Sequence, residues 1–118
     1  MAAGDYRELI VWKKSMDFVE KLYKATRSFP REEMYGLSSQ MRRAAVSIPS
    51  NIAEGKRRMS GPELRRFLLI AFGSGAELET QLEIARRVGY LSLEDERVLG
   101  TDLSEIMRML NALIGSSR

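Results

Sequence analysis

Apolar residues recur along this chain at helical spacing almost from end to end, and no stretch shows the two-residue alternation of a half-buried strand. Leu9, Trp12, Met16, Val19, Tyr23 and Thr26 follow one another at intervals of three and four, which predicts a helix over about 6–27 with that stripe facing the core. Phe29-Pro30 closes it, because a proline cannot continue the hydrogen-bond ladder, and 31–36 reads as a connector with room for one helical turn. Met41, Ala44, Ala45, Ile48 and Ile52 predict a second helix over 37–57. A third, over 61–88, carries Leu64, Leu68, Ala71, Gly75, Leu78, Leu82 and Ala85 at four-three spacing, the 3.5-residue period of coiled-coil-like packing. Leu99, Leu103, Ile106, Leu110 and Leu113 repeat that spacing in a fourth helix over 93–114. The boundaries carry their own signals. Ser60, Pro62 and Glu63 form a helix start with a capping box, Ser92 can cap the fourth helix, and Gly89 and Gly115 are stops. Four amphipathic helices joined by short loops predict one all-α domain over 1–118, an antiparallel up-down-up-down four-helix bundle.

The polar positions add a second pattern. Gln40, Arg43, Ser47, Asn51 and Glu54 share one stripe of the second helix, beside its apolar seam. These side chains suit specific hydrogen bonding more than mere solubility, so the stripe is read as a surface that meets a partner. Ser74, Glu77 and Gln81 form a matching row on the third helix, with Arg43 and Glu77 as an ion-pair candidate supported by Asn51 and Gln81. An ordinary wet surface is the competing reading. Pro49 stands inside the second helix, where it deletes a backbone bond at about 3 kcal/mol; the apolar spacing stays in phase across it, which favours a kink over a break. Gly73 and Gly75 each disfavour the third helix by about 1 kcal/mol relative to Ala. Gly75, on the seam, is expected to admit a large residue such as Trp12, and Gly73, off the seam, a helix of a neighbouring subunit. Phe72, Ile70 and Ile84 also leave the seam, which points to oligomerisation. The remaining aromatic residues read as core.

Composition narrows the chemistry. The chain has 118 residues, 44% of them apolar, enough for a core without staples. It has no Cys and no His, which removes disulfides, Cys/His zinc sites, the Ser-His-Asp triad and imidazole acid–base work, so no cofactor or metal is expected. Chemistry by Asp, Glu, Lys, Tyr or Ser remains, with Glu54, Glu77 or Glu79 as the candidate general base, and a non-enzymatic role is the stronger reading. Met1-Ala2-Ala3-Gly4-Asp5 lacks the regions of a signal peptide, and no apolar run reaches the roughly 18 residues of a membrane span, so a cytoplasmic location is expected.

Net charge is +3, but it is unevenly spread. Arg42, Arg43, Lys56, Arg57, Arg58, Arg65 and Arg66 face only Glu54 and Glu63 between positions 42 and 66. Arg42, Lys56, Arg57, Arg58, Arg65 and Arg66 are therefore candidates for phosphate contacts to RNA or DNA, without base stacking because no aromatic residue interleaves the run. A solvated loop with cations at a helix C-terminus is the alternative.

Leu9-Ile10-Val11-Trp12-Lys13-Lys14-Ser15-Met16, Phe29-Pro30, Tyr35-Gly36-Leu37 and the run from Gln40 to Gly55 resemble a known bacterial family. So do Phe67-Leu68, Ala71-Phe72-Gly73-Ser74, Glu77-Leu78-Glu79-Thr80-Gln81-Leu82 and Gly89-Tyr90. The family is that of the four-helix-bundle proteins encoded within intervening sequences of 23S ribosomal RNA genes. The resemblance implies an antiparallel bundle assembled into a homopentamer. It also implies kinship with the accessory variability determinant protein of diversity-generating retroelements, a basic pentamer that associates with a reverse transcriptase and nucleic acid. No activity is implied for most members, so the role expected here is that of a homo-oligomer binding RNA or DNA, or a scaffold for a protein partner.

Overall fold

The computed structural model of the protein describes residues 5–117. Its helices are α1 (Ile10–Thr26), α2 (Leu37–Arg57), α3 (Gly61–Arg87) and α4 (Leu93–Ser116), with 3-10 turns at Tyr6–Glu8 and Arg31–Tyr35. Each helix packs against the next and α4 returns to α1, which closes the four-helix bundle. The molecule measures 43 × 23 × 22 Å. At 1.5 Å per residue α3 is about 40 Å long, so it sets the long axis.

The predicted seams of α2, α3 and α4 form most of the observed core, but Leu64 and Leu113 are only partly buried, and Phe67, Gln81, Met107 and Ile114 are buried beside the seams. Met41, Ala45, Ile48, Ile52, Leu68, Ala71, Leu78, Leu82, Leu103 and Leu110 are almost completely excluded from solvent. Ser60 and Ser92 cap α3 and α4 by accepting from the Glu63 and Asp95 amides. Small residues bring α2 and α3 close: a methyl added at Gly55 would stand 2.8 Å from Phe67 Cβ. Glu33 fixes the connector. One carboxylate oxygen accepts from the Leu37 amide and the other from the Tyr90 hydroxyl, both at 2.9 Å. The Leu37 bond, then the Tyr90 bond, holds the Glu33 carboxyl below its ordinary range, while the same contact raises the Tyr90 phenol.

Four expectations change. The first helix starts four residues late, because Asp5 accepts from the Arg7 amide to form a 3-10 turn and Leu9 is extended before Ile10. Its core stripe is Val11, Ser15, Phe18, Leu22 and Thr26, not the predicted one, of which only Thr26 is buried. Ser15 and Thr26 enter the core because their hydroxyls donate to the carbonyls of Val11 and Leu22, which removes the penalty for burying them. Leu9, Trp12 and Val19 pack at the edge. Gly75 faces Met107 instead of Trp12: a methyl there would overlap the Met107 sulfur. Trp12 meets Tyr6 edge-on, with ring centroids 5.3 Å apart. Finally, α4 continues through Gly115. At Pro49 the favoured reading against a break holds: α2 runs through it, with the ring buried.

Candidate nucleic-acid interface

The α2–α3 turn gathers the basic residues at one end of the bundle. α2 ends at Arg57 with Lys56 and Arg57 in its last turn, where a cation complements the helix dipole. Met59 then takes a left-handed conformation, φ 61°, and Ser60 caps α3. Tyr6 and Phe67 organise the guanidinium groups. Arg58 and Arg66 lie 5.3 and 4.5 Å from the Phe67 ring centre. Arg7 and Arg57 lie 4.6 and 5.5 Å from that of Tyr6. Stacking holds each planar cation by its face and leaves N–H edges for an acceptor. Arg58 also pairs with Glu54 at 3.3 Å and Arg66 with Glu63 at 2.9 Å; both pairs are exposed. The Arg66 bond keeps the Glu63 carboxyl below its ordinary range. Lys56, Arg57 and Arg65 form no ion pair among the described residues, and the buried Nε of Arg65 has no acceptor.

Two aromatic rings therefore do interleave the basic turn, contrary to the sequence reading. Phe67 is nine positions from Arg58 along the chain, and Tyr6 and Arg7 arrive from the other end of the sequence. Arg42 is not part of this cluster. Fourteen residues of helix, about 21 Å, separate it from Lys56. Its Nε donates to the Thr26 hydroxyl at 2.9 Å, its Nη2 to the Tyr23 carbonyl at 3.3 Å, and its guanidinium lies 4.5 Å from the Tyr23 ring centre.

The two polar rows meet in part. Ser74 Oγ donates to Ser47 Oγ at 2.9 Å, and Asn51 Nδ2 reaches the same hydroxyl and the Ser47 carbonyl, each at 2.8 Å. Gln81, 5% exposed, donates to Glu77 at 2.9 Å, and its own carbonyl oxygen has no partner. The expected Arg43–Glu77 ion pair is not formed: both side chains are exposed and they share no contact within 4.0 Å. Gln40 and Glu54 are likewise exposed. Phe72 is partly buried against the edge of the core. The outward side of α3 presents Leu69 and Ile70 beside Gly73, and Ile84 about three turns further on, each more than 40% exposed; a methyl added at Gly73 would meet nothing within 4 Å.

A groove of about 810 Å³ lies between the end of α1, the Arg31–Tyr35 turn and the first half of α2. It is lined by Arg27, Arg31, Arg42 and Arg43 and by no carboxylate. Among the described residues there is no cluster of three or more potential metal-ligating His, Cys, Asp or Glu side chains, and no helix long and apolar enough to cross a membrane.

Fold and site together define a small four-helix bundle with arginine concentrated at the α2–α3 turn and in the groove. Residues 7–112 match the family described as 23S rRNA-intervening sequence protein, and the chain belongs to that family. Among solved structures it is similar to a protein of unknown function from the S23 ribosomal protein family of Bacteroides thetaiotaomicron VPI-5482. The two are 28% identical, the likeness covers 89% of this chain and 98% of that one, and the TM-score is 0.80. No protein with a curated description matches.

Proposed function

We propose that the protein is a non-enzymatic homo-oligomer, assembled as a pentamer, that binds RNA or DNA phosphates through the α2–α3 turn. The observation that carries this reading is the stacking of Arg57 on Tyr6 and of Arg58 and Arg66 on Phe67, beside Lys56 and Arg65. Cations held by ring faces lose less side-chain entropy when they meet a phosphate. Each turn alone is a weak site. Repeated by symmetry around a ring, several such turns bind one polyanion by avidity. The apolar outward side of α3 supports assembly, since exposed apolar surface of this kind is covered when copies associate.

Filter binding to a structured RNA across a salt series tests the nucleic-acid part. Log affinity should fall linearly with log salt, and Lys56→Gln with Arg57→Gln should flatten the slope. A flat dependence in the native protein, or no binding near physiological salt, would sink the proposal. The Glu54 and Glu63 pairs favour a second reading, a scaffold with a solvated turn. Under it the purified oligomer carries no nucleic-acid absorbance and still captures a protein partner. Mass in solution decides the pentamer.

A further inference from the structure

The groove at the opposite end of α2 has the makings of a second binding site. Acidic partners elsewhere on the surface neutralise Arg7, Lys14, Lys21, Arg58, Arg66, Arg86, Arg87 and Arg97. None of the four groove arginines has such a partner among the described residues. Glu33 stands on the same turn as Arg31, but its two oxygens are taken by the Leu37 amide and the Tyr90 hydroxyl, and it does not line the groove. An anion entering here meets four positive charges and no competing carboxylate.

Arg42 is the fixed point. Its contacts to Thr26 and to the carbonyl and ring of Tyr23 lock the side chain and leave Nη1 uncommitted. A solvated surface arginine has no such anchoring, and a guanidinium held before the ligand arrives binds an oxyanion at lower entropic cost. Arg27, Arg31 and Arg43 are exposed and free to close on the same anion. The Ser38, Ser39 and Ser47 hydroxyls line the wall, and Met34 and Val46 supply exposed apolar surface beside them. The volume falls within the range of small-molecule sites, about 300–1,000 Å³. Several guanidiniums call for several phosphoryl oxygens, and the adjoining apolar wall calls for a flat organic group.

We infer that this groove binds a nucleotide, with its clustered phosphoryl groups held by Arg27, Arg31, Arg42 and Arg43 and its base against Met34 and Val46. The site is about 21 Å along α2 from Lys56 and does not depend on the basic turn. Its ligand is either a free nucleotide or the phosphorylated end of a strand; the phosphoryl chemistry is the same.

Calorimetric titration of the full chain with tripolyphosphate, ATP and a short 5′-phosphorylated single-stranded RNA tests it. Tripolyphosphate and at least one of the other two should saturate one site per chain, and either should bind more tightly than tripolyphosphate if the apolar wall holds a base. A tighter ATP arm identifies a free nucleotide, and a tighter RNA arm a strand end. Arg31→Gln with Arg43→Gln, both exposed positions, should weaken all binding ligands by about tenfold or more with unchanged thermal stability. Lys56→Gln with Arg57→Gln should leave tripolyphosphate binding unaltered, which separates this site from RNA binding at the turn. The inference is overturned by the absence of saturable binding near physiological salt, or by equal losses in the two double variants. It is also overturned if Arg31→Gln with Arg43→Gln changes the mass in solution, because the groove would then be a subunit contact.

Discussion

Gly73 offers a perturbation with opposite expected effects on the single chain and on the assembly. It lies inside α3, is exposed, and has no atom within 4 Å of an added methyl. Within one chain, Gly73→Ala therefore meets no steric opposition, and the helix gains the propensity difference, about 0.8–1.0 kcal/mol. For a domain of this size that corresponds to a melting temperature higher by roughly 3–6 °C. In the proposed oligomer the same methyl stands on the outward face, beside Leu69 and Ile70, where a glycine allows close approach of a neighbouring helix. The variant should thus be more stable than the parent when dilute enough to be a single chain, and should assemble more weakly. Urea unfolding at that dilution reads the first effect, and mass against concentration reads the second. A less stable or unchanged single chain would refute the propensity reasoning. A stabilised chain with undiminished assembly would remove Gly73 from any close subunit contact.

Gly55→Ala should act in the reverse sense, because its methyl would press on Phe67 Cβ and on Leu64; overpacking outweighs the propensity gain and leaves a net loss of about 1–2 kcal/mol, read by chemical denaturation. The Glu33–Tyr90 contact gives a pH signature. Glu33 is lowered in the folded state, so its contribution is present above the ordinary carboxylate range and is lost as pH falls through the folded value. Tyr90 is raised, so its contribution is present below the ordinary value of 10.0 and is lost as pH rises through the folded value. Melting temperature against pH should lose part of both the acid and the alkaline limb in Glu33→Gln, and superimposable profiles would exclude the contact as a contributor.

The helical seams that read most clearly are those where apolar identity and burial coincide. In α3 and α4 nearly every core position is Leu, Ile, Ala or Gly at four-three spacing, and no competing stripe exists. α1 contains two stripes of similar spacing. The one with more large residues, through Trp12, Met16 and Tyr23, lost to one running through Val11, Ser15, Phe18 and Leu22, with Thr26 common to both. A hydroxyl satisfied by its own helix is as admissible in a core as an apolar side chain, and hydropathy does not register that. The basic turn was visible as a run of charge, yet its aromatic supports were not, because Tyr6 comes from far along the chain. The groove was hidden for the same reason. Arg27 and Arg31 belong to a different charge neighbourhood from Arg42 and Arg43 until the connector folds back.

Pro49 has a consequence for how α2 is held. Without an N–H at 49, the Ala45 carbonyl receives no ladder bond from that residue, and the hydrogen-bond chain of the helix is interrupted once although its shape is not. The stretches on either side, 37–48 and 50–57, do not exceed the roughly 12–15 residues at which an isolated helix becomes marginal in water. The first half is held by α1, by the connector and by α3 through the Ser47–Ser74 bond, the second by the close approach of Gly55 to α3. One helix thus carries the groove and the basic turn on opposite sides of its single missing ladder bond, still joined by the amides of residues 50–52, which bond to the carbonyls of residues 46–48 across it.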